Sequence, residues 1–166
     1  ETADSETLVQ IAIVYKGDQI TIYRNGKKYA EYTAEGSEKF GTDSIAVMGL
    51  RHVDARPEGR FFTGSIDDAR IYGVALDAEQ IATLKPNQPS DPKPVAWWDF
   101  EDGRAADRMK VLPTSTLFGG ARIADGRLQL DTSGAYMMAS KAAPETGSSL
   151  DFSNANSSAR SLREHL

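Results

Sequence analysis

The chain of 166 residues contains no cysteine and only two histidines, His52 and His165. The absence of cysteine excludes disulfides and thiolate metal sites, although it does not assign a compartment. Neither histidine lies in an H-E-x-x-H or G-x-S-x-G context, which disfavours a zinc hydrolase or a serine hydrolase. Histidine-based or cysteine-based catalysis therefore has little support in this sequence.

Long apolar runs and basic clusters are also absent. No apolar run approaches the roughly 20 residues of a membrane span. Asp and Glu number 24 against 19 Lys and Arg, a formal net charge of -5. Because the basic residues are scattered, the sequence lacks the electrostatic footprint of a nucleic-acid-binding protein. We predict neither a membrane span nor a nucleic-acid partner. Because the sequence begins at Glu1, without a methionine, it does not show whether a leader peptide was removed.

Strand patterns dominate the first half of the chain. Residues 8–15 form a nearly continuous apolar run, and apolar and polar residues alternate over 19–24. Asn25-Gly26 is a strong two-residue hairpin signal, which predicts a returning strand over 27–32. Further strands are predicted over 44–50 and 64–72, so this half is expected to be a β meander.

The meander is followed by a helix signal and a proline-rich connector. Asp77 stands three residues before Gln80, the spacing of a capping box, which predicts a short helix through Ile81 and Leu84. Residues 85–94 contain four prolines and favour an extended connector. The composition of residues 141–166, rich in Ser, Ala and Asn, indicates a linker or flexible tail.

Two groups of motifs resemble one fold family. The pattern F-x-G-x-I-D-D-x-R-I-Y-x-x-A-L, beginning at Phe62, closely resembles the closing strand and terminal helical turn of laminin-G-like domains in the concanavalin A-like superfamily. Residues 8–49 resemble the central hairpin of that family. The W-x-F-x-x-G motif at Trp98 and the A-x-I-x-D-G-x-L-x-L motif at Ala121 resemble its opening strands. The resemblance implies an all-β jelly-roll sandwich of two antiparallel sheets with one short helix.

The family motifs occur in inverted order, with the closing strands first. Residues 1–84 would supply the central and closing strands, 85–94 the connector, 95–140 the opening strands and 141–166 a tail. Either the two pieces complete one sandwich in permuted strand order, or each belongs to a separate partial sandwich. We favour one sandwich, with the 95–100 strand beside the 64–72 ribbon, because two halves would expose long strand edges and apolar faces.

A short resemblance at the end of the chain suggests a larger context. Residues 160–166 resemble the lead-in to the catalytic propeller of glycoside hydrolase family 32, the β-fructosidases. This resemblance implies an accessory region of a secreted or periplasmic glycoside hydrolase. Its partners would be a downstream catalytic domain and a polysaccharide or oligosaccharide, with fructan as one candidate.

The sequence offers no catalytic pair of its own. Glycosidases need two carboxylates on opposite sides of the scissile bond, but the adjacent Asp67 and Asp68 point to opposite faces of a strand. The E-x-D-x-x-E motif of concanavalin A-like glucanases is missing. The missing pair disfavours catalysis, and the two resemblances imply a non-catalytic carbohydrate-binding module. The alternatives are a structural or protein-interaction spacer and a concanavalin A-like glycoside hydrolase.

Two sets of residues are candidates for ligand contacts. The superfamily often holds a structural calcium where the opening and closing strands meet. The resemblance therefore implies that Asp68, together with Asp99, Glu101 or Asp102, ligates calcium. The alternative is that these acids are solvated, with Asp68 pairing with Arg70 or Arg122. Sugar binding uses aromatic faces and a few polar groups. The candidates for it are Tyr23, Arg24, Arg51, His52, Trp97 and Trp98. The alternative is that most of the aromatic rings, including one of the two tryptophans, fill the core. His52 would then be an ordinary loop histidine.

Overall fold

A computed structural model describes residues 7–34, 44–51 and 61–141. Within these ranges the chain forms eleven strands and one helix. The strands are β1 (Ile11–Lys16), β2 (Gln19–Arg24), β3 (Lys27–Thr33), β4 (Ala46–Met48), β5 (Gly64–Ile66), β6 (Ala69–Ile71), β7 (Ala96–Trp98), β8 (Thr114–Phe118), β9 (Arg122–Ala124), β10 (Arg127–Leu130) and β11 (Tyr136–Ser140). The helix α1 spans Ala78–Thr83. Its six residues are too few to cross a bilayer, and no helix in the described ranges is long and apolar enough to do so.

The first three strands form an antiparallel sheet in the order β1-β2-β3. The predicted hairpin at Asn25-Gly26 is confirmed, since both residues have positive φ, 51° and 74°. A β-bulge interrupts the β2–β3 register: Ile22 faces Ala30 and Tyr23 faces Lys28, which leaves Tyr29 as the extra residue. Such a bulge reorients the side chain of the extra residue, and Tyr29 is 65% exposed.

Three strands before the proline-rich connector pair with strands after it. β4 pairs with β11, β5 with β10 and β6 with β7, all antiparallel. In the last pair Arg70 lies opposite Trp97, so the strand after the connector lies beside the closing ribbon. The all-β fold with several antiparallel sheets and one short helix is therefore confirmed. The division of the chain into the four predicted segments stays a prediction.

The apolar core lies mostly in the second half of the chain. Its fully buried side chains include Trp98, Phe100, Leu128, Leu130 and Met137. The strands before the connector contribute partly buried residues that pack against this core: Ala46, Met48, Ile66 and Ala69. By contrast, among the described residues of the β1–β3 sheet only Ile20 and Thr21 are buried. That sheet therefore keeps much of its apolar surface exposed.

A buried carboxylate, that of Asp107, fixes the loop after β7. Asp107 is buried, and its Oδ1 accepts hydrogen bonds from the backbone N–H groups of Trp97 and Met109, both at 2.9 Å. Its Oδ2 accepts from the N–H groups of Val111 and Leu112 at 2.8 and 2.9 Å. These bonds satisfy both the carboxylate and four backbone donors, which anchors β7 to the loop that follows it.

The helix begins as the sequence predicts and docks on the first hairpin. The capping box at Asp77 and Gln80 is present, with reciprocal bonds of 2.8 and 3.0 Å. Gln10 connects helix and hairpin, since its Nε2 donates to the Ile81 carbonyl at 3.1 Å and its Oε1 accepts from the N–H of Gly26 at 2.9 Å. The β1–β3 sheet is thereby fixed against α1.

Candidate functional site: a charged cluster and an apolar groove

A charged cluster surrounds Trp97 where β6 meets β7. We define the tryptophan cluster as Asp68, Arg70, Trp97, Asp99 and Arg108. The indole Nε1 of Trp97 donates to Asp68 Oδ2 at 2.8 Å. The guanidinium groups of Arg70 and Arg108 each lie over the ring, 4.7 Å from its centroid. The aromatic ring is thus used as a cation–π partner within the protein.

Arg70 is the buried cation of this cluster. Its side chain is 6% exposed and pairs with Asp68, which is 14% exposed, with Nε 2.8 Å from Oδ1. Its Nη2 also donates to Asp68 Oδ2 at 2.8 Å and to the carbonyl of Lys85 at 2.9 Å. Burial alone would lower the pKa of Arg70, but hydrogen bonds to Asp68 and Tyr72 outweigh it and raise the pKa above its usual value. Arg70 therefore stays charged and depends on Asp68 for compensation.

The four acids implied as calcium ligands are occupied by protein donors. Asp68 serves the tryptophan cluster, and Asp99 pairs with Arg108. Glu101 accepts from Asn87 Nδ2 at 2.6 Å, and Asp102 pairs with Arg104 at 2.7 Å. The hydrogen bond from Arg104 holds the pKa of Asp102 below its usual value.

This arrangement does not fit a calcium ion. Calcium needs several oxygens aimed at one point, and the described residues contain no group of three or more His, Cys, Asp or Glu arranged to hold a metal. Asp68 in addition accepts from the backbone N–H of Asn87 at 2.9 Å. The alternative in which Asp68 pairs with Arg70 matches the contacts, whereas a calcium site stays a prediction from the resemblance alone.

The candidate sugar-binding residues that the structure describes differ in their exposure. Trp97 is 8% exposed and Trp98 is fully buried, so neither indole presents an open face. Tyr23 and Arg24 are half-buried on β2, and Arg51 is exposed at the end of a described segment. His52 lies outside the described residues. Strand alternation does place the two tryptophans on opposite faces of β7, but both faces are covered.

Exposed apolar side chains instead gather along one groove. The apolar groove has a volume of about 2390 Å³, and most of its lining comes from β1, β2 and residues 61–76, with smaller contributions from α1 and from residues after the connector. Of the twelve large hydrophobic side chains exposed in the described ranges, all but Met109 line it. They are Leu8, Ile11, Ile13, Tyr15, Tyr29, Ile45, Phe62, Ile71, Val74, Val95 and Val111. A concentration of this kind is typical of binding surfaces, because single scattered hydrophobics need no explanation but a contiguous patch does.

Aromatic rings and a charge pair give the groove its chemistry. Tyr15, Tyr29 and Phe62 are each about half exposed or more. Asp67 and Arg127 also line the groove and pair at 2.9 Å between Oδ1 and Nε. The groove therefore offers apolar ring faces beside hydrogen-bonding groups. Sequence reasoning missed Tyr29 because a bulge cannot be read from the alternation of residues.

Two neighbouring carboxylates are bridged rather than open. The amide Nδ2 of Asn87 donates to Asp67 Oδ2 at 3.3 Å and to Glu101 Oε1 at 2.6 Å. In a glycosidase the space between the two acids holds the scissile bond or a water molecule. Here the amide of Asn87 occupies that space, so the pair is arranged as a structural bridge between the connector and its neighbours.

Comparison with known proteins supports the fold class. No curated protein and no solved structure matches the chain. The resemblance of residues 160–166 to glycoside hydrolase family 32 gains no support from it, and those residues lie outside the described ranges. Residues 1–82 match the family model described as the concanavalin A-like lectin/glucanases superfamily.

Proposed function

We propose that this chain is a non-catalytic carbohydrate-binding module. The observation that carries the proposal is the apolar groove with the exposed rings of Tyr15, Tyr29 and Phe62. The family match over residues 1–82 supports it, because that superfamily includes lectins and glucanases. The match extends over β1 to β6 and most of α1, and these elements supply most of the groove.

The physical basis is the complementarity of pyranose or furanose C–H faces and aromatic rings. A ring supplies a flat apolar surface at a small cost in side-chain entropy, and Tyr adds a hydroxyl for a sugar oxygen. The Asp67–Arg127 pair also lines the groove and supplies a carboxylate and a guanidinium, two groups that hydrogen-bond sugar hydroxyl groups. A groove larger than the pockets that enclose small ligands suits a polymer better than a monosaccharide.

We further propose that the module serves a secreted or periplasmic glycoside hydrolase, with fructan among the candidate polymers. Open grooves enclose little of their ligand, so binding is expected to be weak. Weak binding is sufficient for an accessory module, since tethering raises the local concentration of polymer near a linked enzyme. The resemblance of residues 160–166 to a β-fructosidase lead-in motivates this context.

Isothermal titration calorimetry against inulin, levan and common β-glucans tests the proposal. One of these polymers should bind, and Tyr29→Ala should weaken its binding at least about fivefold, corresponding to roughly 1 kcal/mol lost per stacked ring. Met109→Ala is the matched control, because Met109 is the exposed hydrophobic that lies outside the groove. Flat traces for every polymer, or equal affinity of Tyr29→Ala and Met109→Ala, would contradict the proposal.

A protein-interaction spacer is the second candidate, and one observation favours it. Ile11 and Ile13 are 58% and 51% exposed, and aliphatic side chains offer less to a sugar than to another protein. The glycoside hydrolase alternative has no such observation, given the bridged state of Asp67 and Glu101. Release of reducing sugar by the purified chain would nevertheless reinstate it.

A further inference from the structure

Strand β10 has one apolar face and one polar face. Leu128 and Leu130 are fully buried in the core. Because side chains alternate along a strand, Arg127 and Gln129 lie on the opposite face of the sheet. Both of these polar residues line the apolar groove. β10 therefore separates the core from a polar surface that borders the groove.

Two further polar residues extend this surface along and across the sheet. Asp131 directly follows β10 and pairs at 2.6 Å with Arg122, which lies opposite Gln129 in the β9–β10 pair. Ser65 of β5 lies opposite Gln129 on the other side. Both Asp131 and Ser65 line the groove. We define the polar row as Ser65, Arg127, Gln129 and Asp131.

Arg127 is held through its Nε, which leaves the rest of its guanidinium open. Nε donates to Asp67 Oδ1 at 2.9 Å, and Asp67 is itself held by a 3.3 Å bond from Asn87 Nδ2. Among the described residues neither Nη atom of Arg127 has a hydrogen-bond partner, and the side chain is partly exposed. The guanidinium is therefore oriented in advance, with the N–H groups of both Nη atoms directed to no protein acceptor in these ranges.

The other three members supply acceptors as well as donors. Gln129 uses only Nε2, in a 3.5 Å contact with the Ala124 carbonyl, and Asp131 uses only Oδ2. Within residues 7–34, 44–51 and 61–141, no hydrogen-bond partner exists for Gln129 Oε1, Asp131 Oδ1 or Ser65 Oγ. A row that mixes donors with acceptors matches hydroxyl groups, because each hydroxyl both donates and accepts.

The backbone of β10 is closed to a ligand. β10 lies between β5 and β9 in its sheet, so both of its edges are paired. A peptide therefore cannot add to β10 as a further strand. A ligand on this face is recognised by side chains, which favours a hydroxyl-rich polymer over an extended polypeptide.

We infer that the polar row determines glycan specificity. It hydrogen-bonds the hydroxyl groups of a polysaccharide that lies along β10, while the exposed apolar side chains of the groove contact the C–H faces of the sugar. Since a strand rises about 3.3 Å per residue, the row extends roughly 13 Å from Arg127 to Asp131, which exceeds the reach of a monosaccharide. The inference rests on the proposed function and adds to it the residues that recognise the sugar and the axis of the polymer.

Isothermal titration calorimetry of the whole chain with inulin, levan and a soluble β-glucan tests the polar row. Gln129→Ala should weaken binding of the recognised polymer about threefold or more, the usual effect of losing one hydrogen bond. Gln19→Ala is the matched control, because Gln19 is an exposed strand glutamine outside the groove. Ser65→Ala, at an exposed position on β5, is a second variant that should also weaken binding. Equal affinities of Gln129→Ala, Ser65→Ala and Gln19→Ala would overturn the inference.

Per-O-methylated forms of the same polymers separate hydrogen bonding from shape. Methylation removes hydroxyl donors and leaves the C–H faces of the sugar in place. The parent protein should lose more affinity on methylation than Gln129→Ala does, because part of the loss acts through Gln129 Oε1. Equal losses, with the native polymer still bound, would overturn the polar row and leave the proposed function standing. Absence of binding to every native polymer would overturn both.

Discussion

At the scale of single residues, the pair of Asp68 and Arg70 explains why the closing ribbon carries the pattern I-D-D-x-R. The guanidinium is almost fully buried and lies over the Trp97 ring, and Asp68 neutralises it while accepting from the Trp97 indole. One carboxylate thereby connects β6, β7 and, through the N–H of Asn87, the connector. A charge buried in this way is tolerated only while its partners remain.

Asp68→Asn should destabilise the protein by about 3–5 kcal/mol, because it leaves the buried Arg70 charge without its counter-ion. Urea denaturation monitored by tryptophan fluorescence measures the change. Asp102→Asn is the control: its pair with Arg104 is well exposed and screened by solvent, so its loss should change the free energy of unfolding little. Equal effects of the two substitutions would show that Asp68 does not compensate a buried charge.

The same residue distinguishes the structural role from metal binding. With Asp68 engaged by Arg70, Trp97 and Asn87, millimolar calcium should leave the melting temperature of the parent protein unchanged, and EDTA should not lower it. A calcium-dependent rise that Asp68→Asn removes would mean that Asp68 ligates calcium, since a ligand of the native state stabilises it.

Residue identity alone did not reveal how these side chains are used. The sequence placed Asp68 near the strand junction and allowed its pairing with Arg70, which the structure contains. It also offered Trp97 and Trp98 as sugar contacts, but both are buried. The difference arises because one face of β7 lies on the core and the other lies under Arg70 of β6 and Arg108 of the loop after β7, an arrangement that alternation cannot show.

At the scale of elements, local signals were sufficient for hairpins and caps. The Asn25-Gly26 turn and the Asp77–Gln80 capping box form as expected because their geometry depends on neighbouring residues. The bulge at Tyr29 was not predictable, since it depends on how β3 meets β2. The groove is likewise a product of tertiary packing, because its lining residues are spread along the chain from Thr7 to Lys141.

Pairing across the connector predicts that residues 1–84 do not fold alone. In the described ranges β4, β5 and β6 are paired with strands from residues 96–140, and the main core lies in that second part. A 1–84 fragment should lack a cooperative thermal transition by circular dichroism, because three strands lose their partners. A 1–141 fragment, which retains every described strand pair, should melt cooperatively. A well-folded 1–84 fragment would contradict this account.

At the scale of the whole molecule, core and surface are separated along the chain. The residues after the connector supply most of the buried core, whereas the β1–β3 sheet and residues 61–76 supply an exposed apolar surface. A soluble chain retains such a surface when a ligand or partner covers it. The groove that we propose for glycan lies on that surface.

The central claim is that glycan binds in the apolar groove and not at the tryptophans. Amide and indole ¹H–¹⁵N spectra recorded during titration with an inulin-, levan- or β-glucan-derived oligosaccharide, chosen by the calorimetry, test it most directly. The account predicts that the largest shift changes fall at Tyr15, Tyr29 and Phe62, while the indole signals of Trp97 and Trp98 do not move. Changes centred on the two indoles, or no changes up to the solubility limit of each oligosaccharide, would contradict it.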